Sequence, residues 1–189
     1  MIPPKGGGIM KGFTRKNQLL SLCGLNCGLC PLFLGKYCGG CGVDNQPCAI
    51  AKCSLDNGKV EYCYECENFP CQKYQNIDAH DSFITHRRQK SDLEKAQKIG
   101  VDAYNSEQKE KRQILHELLE NYDDGRRKSF FCLAVNLLEL PEIREIMKEL
   151  STEDGSQLRS IKERASSAAE KFQKLAAEKN ISLKLNKKK

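Results

Sequence analysis

Eleven cysteines are present, and all but Cys132 fall between Cys23 and Cys71. In order they are Cys23, Cys27, Cys30, Cys38, Cys41, Cys48, Cys53, Cys63, Cys66 and Cys71. Three C-x-x-C pairs stand out: Cys27 with Cys30, Cys38 with Cys41, and Cys63 with Cys66. Two intervening residues let one turn aim both sulfurs at a single ion, and Gly28, Gly39, Gly40 and Gly42 sit where such a turn needs backbone freedom. Zinc is satisfied by four tetrahedral sulfurs, supplied by two pairs or by one pair and two singles. All ten cysteines are therefore read as metal ligands, with two zinc ions expected. Two sulfurs are then left to bridge a binuclear cluster, to stay free, or to join a third site completed by His80 or His86. Spacing does not divide the ten among ions.

An iron-sulfur cluster is the alternative cofactor. Cys23, Cys27 and Cys30 form C-x3-C-x2-C, the spacing by which radical enzymes using S-adenosylmethionine hold a four-iron cluster, and Pro31 follows as in bacterial ferredoxin motifs. The radical-enzyme version needs a sheet-and-helix barrel, for which 189 residues with a helical remainder leave no room. Thioredoxin-like redox chemistry needs a C-x-x-C pair between a strand and a helix in an alternating sheet, a pattern not visible here.

Compartment decides between ligands and disulfides. Met1 to Thr14 is rich in Pro and Gly and has no apolar run long enough for a signal-peptide core. The most apolar segment, Phe130 to Leu140, is short and broken by Asn136 and Glu139, so no membrane span is expected. A cytoplasmic protein is expected, where thiols stay reduced. The net charge of +6 is modest. Residues 1–77 carry 8 basic and 5 acidic groups and residues 78–189 carry 23 and 20, so no basic face is concentrated enough to favour nucleic acid. A protein partner is possible, nucleic acid stays possible with weak support, no membrane partner is expected, and the oligomeric state is left open.

The elements that must position the cysteines fall into four segments. Residues 1–20, with Pro3, Pro4 and the Gly6 to Gly8 run, read as a flexible lead outside the fold. Residues 21–77 read as a loop-rich metal-binding module, because turn residues abound and no period of 3.6 is sustained. Such a stretch is too short for a self-sufficient apolar core, so ligation must supply order. Residues 78–150 read as helical. Ser91 followed by Glu94 resembles a capping box, a start already near Asp81 is the alternative, and Gly100 is a natural stop for this first helix. A second spans Ser106 to Tyr122, with Ile114, Leu115, Leu118, Leu119 and Tyr122 on one stripe. Phe130 to Leu138 is apolar almost all round, which predicts a central buried helix, and Pro141 starts a short helix through Leu150. Residues 151–189 read as a long helix and basic tail. The helix begins near Ser151 to Glu153, and Leu158, Ile161, Ala165, Ala168, Phe172 and Leu175 form a seam that packs on the chain's own core or on another subunit. Leu183 to Lys189 reads as frayed. The fold class is thus mainly α, a small cysteine module followed by a bundle-like helical region.

CGLNCGLCP at Cys23 to Pro31, CGGC at Cys38 to Cys41, CAIAKC at Cys48 to Cys53 and GKVEYCYECENFPCQKY at Gly58 to Tyr74 together resemble the bacterial and archaeal cysteine-rich family called domain of unknown function 3795. The resemblance covers about Ser21 to Tyr74, while KIGVDAY at Lys98 and YDDGRRKSFFCLA at Tyr122 look like helical extensions seen with that domain. It implies a metal-binding module with the ten cysteines as ligands, and it carries over no activity, substrate or catalytic residue.

The remaining candidates have plainer readings. His80, His86 and His116 are expected as solvated helix positions or a core edge, and Cys132 as a buried inert thiol. Arg126, Arg127 and Lys128 are weighed as an anion site at a helix start, but a solvated turn is the commoner outcome. Tyr37, Tyr62, Tyr64, Phe69 and Tyr74 interleave with cysteines and are expected to shield the metal rather than to stack bases. Catalytic zinc keeps an open position and usually takes histidine or carboxylate, so the cysteine excess argues against a hydrolase. The expected function is a non-catalytic interaction or regulatory module, with electron transfer or redox sensing as the alternative.

Overall fold

Local sequence signals place most of the helices, and the connections between them decide what they bury. In the computed structural model, which describes residues 8–43, 48–156 and 159–188, seven α-helices and three short 3-10 turns account for the regular structure, and no strand longer than an isolated bridge occurs among these residues. The helices are α1 (Pro31–Leu34), α2 (Ala49–Asp56), α3 (Gln89–Ile99), α4 (Val101–Asn121), α5 (Lys128–Leu137), α6 (Leu140–Ser156) and α7 (Ile161–Glu178). The mainly helical class, with a loop-rich cysteine module ahead of packed helices, is what the chain forms.

Gly100 adopts φ of 87°, a left-handed value that glycine takes without a Cβ penalty, and it breaks the helical run so sharply that α4 starts on the next residue. Helix α4 consequently begins five residues before the Ser106 expected from sequence, which carries Tyr104 into the interior. Its stripe of Ile114, Leu115, Leu118 and Tyr122 is buried, as the period of 3.6 requires. Helix α5 is buried from Phe131 to Leu137 because α4 and α7 cover it and the cysteine module lies on a further side. Phe131 meets Phe172 of α7 edge-on, with ring centroids 6.0 Å apart.

Four expectations change. Helix α3 starts at Gln89 rather than near Asp81, and Ser91 does not cap it: its hydroxyl donates to the Arg88 carbonyl. Helix α6 continues past Leu150 to Ser156, and α7 starts at Ile161 instead of near Ser151. The capping box lies at Ser160 and Glu163, whose side chains each accept from the other's backbone N–H. Leu158 of the expected seam lies outside the described residues. Ala165, Ala168 and Phe172 face the chain's own core, whereas Ile161 is exposed. In the lead, Met10, Phe13 and Leu20 are buried, and the Met10 N–H donates to the Gly42 carbonyl, so residues from Ile9 onward belong to the cysteine module. At the other end, the Asp81 N–H donates to the Asn186 carbonyl, while Arg87 donates to the carbonyls of Ser182 and Lys184. The tail therefore crosses back over residues 81–87 instead of fraying.

Glu153 ties α6 to α7, accepting from Ser167 and pairing with Arg159 and Lys171, and these donors pull its carboxyl from 4.5 down to about 2. A folded value below the unfolded one means that the stability is fully present above the unfolded value and is lost as pH falls through about 2. Solvent screening holds its size to about 1 kcal/mol or less. In paired urea melts, wild type should lose its advantage over Glu153→Gln between about pH 5 and pH 2, whereas a constant difference across that range would refute the pairing.

Candidate metal centre

The first and third C-x-x-C pairs are built alike. Cys27–Leu29 and Cys63–Glu65 are single 3-10 turns, closed by Cys30 N–H to Cys27 carbonyl at 3.0 Å and by Cys66 N–H to Cys63 carbonyl at 3.1 Å. The second cysteine of each turn leaves in the same extended conformation, φ and ψ of −82° and 130° at Cys30, −83° and 132° at Cys66. In the middle pair Gly40 has φ of 97° and its N–H donates to the Cys38 sulfur at 3.4 Å. A Cβ at Gly40 would stand 2.6 Å from the Gln18 side-chain oxygen, so another residue here would displace that flexible amide and hold a left-handed backbone that glycine takes without strain. Cys48 precedes α2, Cys53 lies within it, and Cys71 precedes the third 3-10 turn, Gln72–Tyr74.

None of the eleven thiols is bridged. Cys53, Cys63, Cys66 and Cys71 line one small pocket of about 40 Å³, walled by Ile50, Val60, Phe69 and Tyr74. Burial pushes the Cys27 thiol well above its ordinary value, and the neighbouring sulfurs of Cys23, Cys41, Cys30 and Cys38 push it further. Burial likewise lifts Cys41 to about 11 and Cys63 to about 12, with Cys23 among the raising neighbours of both. Such thiols stay protonated until a cation compensates their charge, which is how sulfur ligands couple metal uptake to proton release. Among the described residues, no three His, Cys, Asp or Glu side chains already stand in an arrangement able to hold an ion.

The other candidates lie elsewhere. His80 and His116 are exposed, and the His86 ring sits 3.0 Å from the Ser82 hydroxyl beneath the tail. Cys132 is buried in the helical core, its thiol pushed up to about 12 chiefly by burial. At the Arg126 to Lys128 turn the backbone N–H groups of Gly125 and Arg127 donate to Asp123 and that of Arg126 to Asp124, so the chain's own carboxylates take the donors an anion would need. Tyr62 and Tyr74 are buried, Tyr62 stacks on Tyr64, Phe69 meets Tyr74 edge-on, and only Tyr37 stands out at 77% exposed. The aromatic side chains wall the module and present no continuous platform.

Sequence reasoning missed the residues that seat the module. Between Cys23 and Cys27, the Asn26 side-chain amide donates to the Asp92 carboxylate of α3 at 2.8 Å and to the Tyr104 hydroxyl of α4 at 3.0 Å, and the Tyr104 hydroxyl donates back to the Asn26 carbonyl oxygen. All three side chains are buried. Gly24 lies so close to α3 that a Cβ would stand 2.1 Å from the Gln89 carbonyl oxygen. A buried polar side chain wedged between cysteines was the only available hint, and its partners lie far along the chain.

Comparison with protein-family models, curated proteins and solved structures finds no match. The likeness to the cysteine-rich family therefore rests on the cysteine pattern alone.

Gly24→Ala should cost at least about 2 kcal/mol, combining a left-handed φ with a backbone clash. Gly58→Ala, where φ is 82° but nothing lies within 4 Å, should cost less. Equal shifts of the urea midpoint would argue against close docking on α3. Asn26→Ala removes one buried hydrogen bond from Asp92, which keeps Arg88, and the amide partner of the Tyr104 hydroxyl, and should cost about 1–3 kcal/mol. A loss below about 0.5 kcal/mol would show that water replaces the amide without penalty.

Proposed function

We propose that this chain is a zinc-binding protein whose cysteine module acts as a non-catalytic interaction or regulatory unit, seated on a helical base and working in a reducing compartment such as the cytoplasm. The observation that carries the reading is the gathering of ten unbridged thiols into one module whose outer C-x-x-C turns share a backbone geometry. The donor set is sulfur alone, which suits zinc in closed structural sites. Cys23, Cys27, Cys30, Cys38, Cys41, Cys48, Cys53, Cys63, Cys66 and Cys71 would hold the metal, which supplies charge compensation and folding energy of about 10 kcal/mol or more per structural ion. No helix is long and apolar enough to cross a membrane.

A second reading, an iron-sulfur protein for electron transfer or redox sensing, is favoured by one feature. Cys23, Cys27 and Cys30 keep the C-x3-C-x2-C spacing, and the charges of Cys23 and Cys30 both push the Cys27 thiol up. Elemental analysis with visible absorption separates the two. Colourless protein containing zinc supports the first, and brown protein with acid-labile sulfide supports the second.

Chelation under reducing conditions should open residues 21–77 to hydrogen exchange while α4 to α7 keep their protection. Unchanged protection of residues 21–77 with the metal gone and the thiols reduced would sink the structural-metal reading.

A further inference from the structure

We propose that Cys53, Cys63, Cys66 and Cys71 form a self-contained four-thiolate site for one zinc ion, with Cys23, Cys27, Cys30, Cys38, Cys41 and Cys48 as a separate group. The inference rests on the zinc reading above and adds to it the division of ligands. No other cysteine lines the pocket that these four share, and its volume of about 40 Å³ exceeds the roughly 10–15 Å³ that a water-sized occupant requires. Four sulfurs complete a tetrahedral ion with none left over. They arrive as one pair and two singles: Cys63 and Cys66 from one 3-10 turn, Cys53 from α2, and Cys71 from the approach to the Gln72–Tyr74 turn.

The surroundings suit a buried thiolate site. Ile50, Val60 and Phe69 give the half-buried sulfurs an apolar wall on one side. Asn57 donates its side-chain amide to the Cys53 carbonyl at 2.8 Å and stands 3.6 Å from the Cys53 sulfur, the kind of outer donor that orients a thiolate ligand. Lys73 at the rim offsets the negative charge that four thiolates leave around a divalent ion. On the other side of the boundary, the Cys63 N–H is tied to the Leu22 carbonyl, and the Cys23 sulfur lies 3.2 Å from the Ser21 hydroxyl. Cys23 is a sulfur neighbour of Cys63 as well as of Cys27, but it does not line the pocket, and its sulfur turns to the Ser21 hydroxyl instead.

The full chain, purified from zinc-replete cells, is compared by elemental analysis with Cys53→Ser, Cys66→Ser and Cys38→Ser. Each pocket variant should lose about one zinc per chain and keep the rest, and the double variant Cys53→Ser with Cys66→Ser should lose no more than either single. Cys38→Ser should leave the pocket ion in place. Where a variant loses its helical signal, cadmium-113 NMR of the folded wild type answers the same question. One cadmium resonance should couple to the β-protons of Cys53, Cys63, Cys66 and Cys71. Coupling of that ion to Cys23 or Cys27, or pocket variants that keep all their zinc or lose all of it, overturns the division while leaving the zinc reading standing. A wild-type chain free of metal overturns both.

Discussion

The side-chain amide of Asn26, buried against Asp92 and Tyr104, is the contact through which the two halves of this protein know each other's position. It sits in a polar seam that runs on into the helices. Arg88 pairs with Asp92 at 3.2 Å and with Glu139 at 2.7 Å, Lys95 pairs with Glu107 and Glu139, and Lys111 donates to the Leu138 carbonyl at 2.6 Å. Burial raises the Asp92 carboxyl and holds Lys111 down to about 8, so both ions exist at a desolvation cost that their partners must offset. A seam of this kind adds little net stability over a hydrocarbon contact, but it tolerates only one registration. Any other placement of the cysteine loop would take the buried amide partner away from Asp92 and Tyr104.

That registration fixes where the first C-x-x-C turn lies. Gly24 touches the carbonyl at the start of α3, Asn26 precedes the Cys27–Leu29 turn, and Leu29 joins the apolar cluster of the helical part beside Leu118 and Phe131. Residues 23–29 thus belong to the cysteine module by chemistry and to the helical core by packing. From the other side, the Tyr74 hydroxyl donates to the Cys23 carbonyl and the Cys63 N–H to the Leu22 carbonyl, so the later cysteines are hung on the same short segment. The module has a small apolar cluster around Met10, Phe13 and Leu22, and its Leu20, Tyr62 and Tyr74 share a second one with Leu93, Ala96 and Tyr104 of α3 and α4. With so little hydrocarbon, the arrangement of its loops depends on this docking and on what the sulfurs bind.

Residues 9–20 and 182–186 act as packing elements because they bond to backbone groups of distant loops. Residues 81–87 form no helix, so the Asp81 N–H and carboxylate and the Arg87 guanidinium are free to meet the backbone of residues 182–186. The lead does the same for the Cys38 to Cys41 turn. Phe13 lies against Gly42, where a Cβ would stand 2.3 Å from its ring, and Met10 bonds to the carbonyl of the same glycine. Composition at both ends suggests disorder, since Gly, Pro and Lys are poor at building local structure. A segment that borrows its hydrogen bonds from a distant loop needs no local structure of its own.

The sequence by itself determined what is local. The density of thiols bounded the chemistry, Gly100 and the Asp123 to Gly125 turn marked helix ends, and the apolar stripes of α4, α5 and α7 named the faces that reach the core, because periodicity and turn preference act over a few residues. Only the tertiary structure decided which four sulfurs share a pocket, why Gly24 and Asn26 stand between cysteines, and that residues 10 and 186 are both held in place. Those outcomes join positions far apart in the chain, Asn26 with Asp92 and Asp81 with Asn186 among them. No window of neighbouring residues contains both partners of such a contact, and the ion pairs and close approaches that settle it come into being only when the chain closes on itself.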